Sequence, residues 1–462
     1  MAFPHPKLSR RSVLKAGAAT AGAGIGVLGG RSTTRLTAAQ EPVTIRFITQ
    51  AEEWAEHLGQ VIEAFNATTP NIRVELETYP FRQLFEVIEI RMSGQSRDVD
   101  IISVDVPLVA SYSARGFLHP LNEYFTPEEI EATWIPAATA ASSYGDQLMA
   151  APQNNSTQFL YVNRGLFEEH GVAMPPMLTP ETEPGPEQIE EIVNGRWTWE
   201  QVAEAAQQLT LDANGDGVSD VWGFVFDQVS RPYQILALPE SLEQPSLSED
   251  GLSTEGFLNS EKWIQAGQFY GDLFNSMAVS PKGITPDQTV DLFATGNAAM
   301  LVGGEWNVPT LAQAEGLNFG VAAHPYFADG RPVTPTGSWH VGISAFSDHK
   351  AEAAEFIKFL TASPEGTRTW FEAHGHFPVT TELLDLVDTS EDFSVFPRSP
   401  YRLGTHEARN TAVPRPQTPG YLEFEDILAG TLEDIRNGTA AADALNAAVP
   451  RIDRAMAKYR GA

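Results

Sequence analysis

The chain has 462 residues, about two to three times the usual domain size, and its 42% hydrophobic and 19% charged content is that of a folded globular protein. It contains no cysteine, which excludes disulfides, thiolate metal sites, a cysteine nucleophile and a lipid-modified cysteine. With 30 Lys and Arg against 60 Asp and Glu, the net charge of −30 repels phosphate backbones and leaves no basis for general nucleic-acid binding.

Residues 1–39 differ in kind from the rest. Their only charges are Lys7, Arg10, Arg11, Lys15, Arg31 and Arg35, and a weakly apolar Ala/Gly run extends from Ala16 to Gly30. That run is too short and too rich in glycine to span a bilayer. Ser9-Arg10-Arg11-Ser12-Val13-Leu14-Lys15 resembles a twin-arginine export signal, and the small residues Thr37-Ala38-Ala39 predict cleavage before Gln40. A plain basic tail would not need the apolar run. No later stretch offers about 18 continuous apolar residues, so the remainder is expected to be soluble and outside the cytoplasm, in a periplasm or at the cell exterior.

From Val43 to Ile48 apolar residues alternate as in a strand; Trp54, Leu58, Val61, Ile62 and Phe65 then recur at helical spacing up to Pro70. Ile72, Val74 and Leu76 alternate again, and Phe81, Leu84, Phe85 and Ile88 make a second helical stripe. Val99 to Val104 is a short apolar run suited to a buried parallel strand. The opening therefore reads βαβαβ. Thr126-Pro127-Glu128-Glu129 and Thr198 with Gln201 carry helix-start chemistry: a hydroxyl acceptor at each, with a preset φ and acids at the positive helix end of the first. Pro175 to Gly195, rich in Pro and Glu, reads as a surface insertion, and Val221 to Phe226 as a strand.

Several segments together resemble the extracellular solute-binding proteins of carbohydrate ABC importers, of the maltose-binding type. They are Ala114-Arg115-Gly116-Phe117-Leu118-His119-Pro120-Leu121, Thr198-Trp199-Glu200-Gln201, Phe293 to Met300, Gly303-Gly304-Glu305-Trp306, Gly337-Ser338-Trp339 and the helix-like Ala351 to Leu360. Each is weak alone; their order and spacing carry the resemblance. It implies a two-lobed α/β fold of the periplasmic-binding-protein type II kind, with discontinuous lobes joined by hinge crossings. The N-terminal lobe would comprise 43–151 and 322–371, and the C-terminal lobe 152–318 and 372–462. It further implies binding without catalysis, a mono- or oligosaccharide held between the lobes, and delivery to membrane permease subunits by a monomer.

A sugar offers hydroxyls and flat C–H faces, so its site needs rings to stack on and carboxylates or amides to bridge hydroxyls. Trp306 and Trp339 follow glycines at the ends of apolar runs and are the stacking candidates, although both also fit ordinary core packing. Asp105, just beyond the third strand, is similar to the family's hydroxyl-binding acid and equally fits a turn or helix cap. Glu53, Asn154, Ser156 and Arg415 match cleft-facing loops more loosely. Trp54 fits the buried stripe of its helix, and Tyr233 and His340 are possible additions. Asn154 to Ser156 departs from common relatives, where an aromatic and an acid are frequent, which leaves the sugar open.

Asp212, Asn214, Asp216 and Asp220 occupy the oxygen positions of a calcium loop, with Gly217 at its sixth place. The twelfth position is Gly223 where a bidentate acid is needed, so an Asp/Asn/Gly turn is the competing reading. No cofactor is required. Two rival functions remain at this level: an exported glycoside hydrolase with paired carboxylates, and a binder of glycerol phosphate or another small polar solute. No nucleophile elbow, zinc-binding His pair or phosphate loop is present.

Overall fold

The computed structural model describes residues 41–460 except Glu52, Glu183 and Ser230, and not the side chains of Arg82, Pro286 and Asp287. The twin-arginine segment lies outside the described residues. The first alternating run forms the strand Val43–Gln50, which pairs in parallel with Ile72–Tyr79 on one side and Ile101–Asp105 on the other. Ile101–Asp105 is buried along its whole length, as an apolar run in a covered parallel sheet requires. Next to it, and antiparallel, runs Trp339–Ser344 from far along the chain, followed by Leu118–His119, with Ala151–Pro152 also paired to Trp339–Ser344. These six strands are the sheet of the first lobe.

A second, four-stranded sheet has the order Phe319–Ala323, Gln158–Asn163, Met300–Gly304, Val225–Phe226. The chain leaves the first sheet after Pro152 and enters the second at Gln158. The expected lobe boundary at 322 falls inside Phe319–Ala323, whose five residues all pair with Gln158–Asn163; the first sheet is regained only at Trp339. Between these, Thr334–Thr336 pairs with Ala412–Pro414 in a small separate ribbon.

The helix Glu53–Thr68 buries Trp54, Leu58, Val61, Ile62 and Phe65, the stripe read from the sequence, and packs against Pro364–His374. Thr126 and Thr198 each form a reciprocal capping box, with Glu129 and Gln201 respectively. Three local readings change. Phe81 begins the helix Phe81–Ser93 but is 37% exposed, because it stands at the edge of the cleft and not over the core. The Pro- and Glu-rich stretch is more than a surface insertion: Leu178 is fully buried and bridges Val321, and the helix Pro186–Asn194 buries Ile189 and Ile192. The strand expected over 221–226 shrinks to Val225–Phe226, interrupted where Gly223 presses so closely on the helix Trp199–Gln208 that a Cβ would meet the carbonyl oxygen of Ala206 at 2.0 Å. No helix among the described residues is long and apolar enough to cross a membrane.

Candidate functional site

A cavity of about 480 Å³ lies between the lobes, and strand ends of both sheets supply its walls. From the first sheet come Asp105 and Trp339, the last and first residues of adjacent antiparallel strands and directly opposite each other in register. Opposite residues share a face, so this pairing turns carboxylate and indole toward the same opening. The Trp339 ring lies flat against Phe85 (centroids 5.9 Å apart, 16° between planes) and meets Phe81 and Trp54 edge-on. It is 8% exposed, so packing holds its orientation while it lines the cavity.

Asp105 accepts a two-pronged hydrogen bond from Arg415, Nη1 donating to Oδ2 at 3.1 Å and Nη2 to Oδ1. Both side chains are buried. Burial works against the charge on Arg415, but Asp105 outweighs it and the guanidinium pKa lies above its ordinary value. A second guanidinium, Arg231 of the other lobe, stands 3.7 Å from Asp105 and 3.0 Å from Glu425, with Phe81 beneath it at 5.5 Å.

From the second sheet comes Trp306, just past Met300–Gly304. The preceding glycines have a direct steric reason: a Cβ on Gly304 would meet the Trp306 indole at 2.1 Å, and one on Gly303 would meet Asn307 Nδ2 at 2.8 Å. The indole N–H donates to Asp227 Oδ2 at 3.1 Å, and Asn307 Nδ2 donates to the same oxygen at 3.0 Å. Burial raises the Asp227 pKa despite these donors. Tyr233 runs nearly parallel to Trp306 (6.4 Å, 19°), with Arg415 4.7 Å from its ring centre. Its hydroxyl is 2.6 Å from Ser156 Oγ, which also accepts the N–H of Gly337.

The structure thus brings Asp105, Ser156, Trp306, Trp339 and Arg415 together around one cavity, with Tyr233. Glu53 is exposed at the start of its helix and Asn154 is buried, donating to Ser338 Oγ; neither lines the cavity. His340 is buried in its strand and Trp54 in the helix stripe. Phe81, Gln228, Arg231, Ser338 and His376 complete the lining and were not picked out from the sequence. Ser338 alone carried a signal, as the middle residue of Gly337-Ser338-Trp339.

The acidic loop behaves as a turn. Asp212 accepts the backbone N–H groups of Gly215, Asp216 and Gly217, Asp216 accepts that of Val218, and Asp220 those of Ala213 and Asn214. The acids point at main-chain amides, and among the described residues no group of three His, Cys, Asp or Glu is placed to hold a metal ion. These hydrogen bonds are those of the Asp/Asn/Gly turn.

Residues 51–367 match the family model of the bacterial extracellular solute-binding proteins. The chain belongs to that family, which places the protein outside the cytoplasm. It is 22% identical over 389 residues to a maltotriose-binding protein of Pyrococcus abyssi, covering 82% of this chain and 74% of that one. It is 25% identical over 291 residues to an sn-glycerol-3-phosphate-binding periplasmic protein of Pectobacterium atrosepticum, covering 60% of each. Among solved structures, an ABC substrate-binding protein of Listeria monocytogenes in complex with cycloalternan superposes with a TM-score of 0.74 at 20% identity, over 90% of this chain and 99% of that one. These relatives are binding proteins, and the two-lobed type II fold is shared with them.

Proposed function

We propose that this protein is the extracytoplasmic binding component of an ABC importer, holding a neutral mono- or oligosaccharide between its lobes and handing it to membrane permease subunits as a monomer, without covalent chemistry. The observation that carries the reading is the single cavity on which Trp306 from one sheet and Trp339 and Asp105 from the other converge. Indole faces suit the C–H faces of a pyranose, and Ser156 with Tyr233 offers hydroxyl partners. The charge balance favours a neutral ligand over a phosphate. Arg415 is matched to Asp105 and Arg231 to Glu425, so neither guanidinium leaves an uncompensated charge for an anion, and the unpartnered Nε–H of Arg415 suits a neutral acceptor.

The test is a thermal-shift and calorimetric screen over neutral saccharides and sn-glycerol 3-phosphate, with product analysis of each mixture. Stabilisation by a saccharide that is recovered intact supports the proposal. Cleavage products, or stabilisation by glycerol phosphate alone, overturn it. A ligand at a hundred times its dissociation constant adds about 2.7 kcal/mol, well within reach of a melting curve. Export by the twin-arginine route is part of the same proposal and rests on Arg10 and Arg11.

A further inference from the structure

Among the described residues, five other than glycine adopt left-handed backbone: Gln95, Gln228, Glu243, Ala278 and Ser338. Two of these, Gln228 at φ 48° and Ser338 at φ 104°, line the cleft cavity. Residues with a side chain resist this conformation, and positions held in it gather at binding sites. Strain alone marks nothing, since Gln95 has φ 52° on the exposed surface.

Ser338 has partners that explain its conformation: its Oγ accepts from Asn154 and its carbonyl accepts the N–H of Val106. Gln228 has none for its amide oxygen. Oε1 is buried and without a hydrogen-bond partner, although the residue stands in the wall of a cavity. A buried acceptor left unpaired is costly, and among the described residues with such an atom Gln228 alone both lines the cavity and is held in left-handed backbone. Its position is also fixed relative to the stacking face. The preceding residue, Asp227, is tied to the Trp306 indole and to Asn307, which sets where the Gln228 backbone leaves the strand. The carboxylates and guanidinia around the cavity are matched to one another, so the partner this acceptor calls for is a neutral donor.

We infer that Gln228 is a specificity-determining residue of the cleft, its side-chain amide turning into the cavity so that Oε1 accepts a hydrogen bond from a hydroxyl of a neutral sugar whose ring lies against Trp306. The inference rests on the saccharide reading above and adds the residue that reads hydroxyl orientation. A site built to hydrogen-bond a hydroxyl discriminates strongly against a ligand that lacks it or points it elsewhere, because the buried acceptor is then left unpaired.

The experiment compares wild type, Trp306→Ala, Gln228→Gly and Gln95→Gly by calorimetry and melting, using a panel of neutral mono-, di- and trisaccharides that includes glucose, galactose, maltose and maltotriose. Gln228→Gly removes the left-handed strain and the amide together. It is expected to melt at or above the wild-type temperature without sugar and to bind the best panel sugar at least about tenfold more weakly. Gln95→Gly, the same change at nearly the same φ on the surface, is expected to keep wild-type affinity. Gln228→Asn tolerates left-handed backbone but carries its amide one methylene short, and the same loss of affinity is expected from it whatever the stability of the glycine variant. Wild-type affinity in Gln228→Gly or in Gln228→Asn, while Trp306→Ala loses binding, overturns the inference and leaves the saccharide reading standing. A wild type that binds nothing in the panel overturns both.

Discussion

Replacing Trp306 with alanine separates binding from folding more cleanly than any other change in the cleft. The indole rests on the backbone of Gly304, faces Tyr233 and donates its N–H to Asp227. For the fold, the loss is one hydrogen bond to a buried carboxylate and part of a half-buried ring. Asp227 keeps its bond from Asn307 at 3.0 Å, so the cost is about 2 kcal/mol, and a domain stabilised by about 5–15 kcal/mol stays folded. For the ligand, the loss is an aromatic anchor, and truncating one typically costs about 2 kcal/mol or more, which weakens binding at least roughly thirtyfold. Calorimetry with maltotriose and the best saccharide of the screen gives the affinity, and small-angle scattering gives closure. Wild type should compact on adding sugar, and Trp306→Ala should stay open at the same concentration. Trp306→Phe keeps a ring but not the N–H; it should recover most of the affinity while leaving Asp227 short of a donor. If Trp306→Ala binds and compacts like wild type, the indole is packing and the ligand lies elsewhere.

Three further outcomes are expected. His324 and His340 are pushed down to about 4 by burial, and His374 to about 2 by burial and then by His376 and His57. Each is neutral when folded and takes up a proton on unfolding below about 6.5, so stability falls as pH drops, by about 2 kcal/mol per histidine between pH 6.5 and 5. Urea unfolding should show this slope and His340→Gln should reduce it; a flat profile contradicts the burial. A chelator or added calcium should leave the melting temperature unchanged, while Asp212→Ala, which strips a carboxylate from three backbone amides, should cost about 1 kcal/mol. A chelator-sensitive transition would restore the calcium reading. Finally, changing Arg10 and Arg11 to lysine should trap the protein in the cytoplasm, and unaltered secretion of that double variant counts against the twin-arginine route.

What could be read from the sequence was local. The strand from Val43, the stripe from Trp54 to Phe65 and the boxes at Thr126 and Thr198 each rest on residues a few positions apart, and the structure contains all of them. Trp306 and Trp339 were visible because glycines stand just before them in the chain, Gly304 leaving room for the Trp306 indole. The partner of Asp105 was not visible as a partner: Arg415 is 310 positions away, and no spacing rule connects them. Gln228 and Arg231 lie in a segment without periodicity after a two-residue strand, and Phe81 satisfied a helical stripe that ends at the cleft edge. The acidic loop carried two readings from the start. Its oxygens have calcium spacing, but in a turn without the terminal acid those same oxygens find main-chain amides first.

The cleft also shows why ligand and closure should be coupled. Among the direct contacts across it, Arg231 reaches Asp105 at 3.7 Å and covers Phe81 at the cleft edge, and Arg415 pairs with Asp105 more deeply. Ion pairs this deeply buried gain little net free energy once desolvation is set against attraction, so they give the closed form only weak support by themselves. The deeper pair, Asp105 with Arg415, neutralises the floor instead of adding a net charge that would attract an ion. A neutral ligand that touches Trp306 on one lobe and Trp339 on the other makes its full set of contacts only when the lobes meet, and that differential contact shifts the population toward closure. Arg231→Ala should therefore loosen the closed form and weaken apparent affinity without touching the stacking faces, whereas a mutation within them weakens affinity by removing the contact itself.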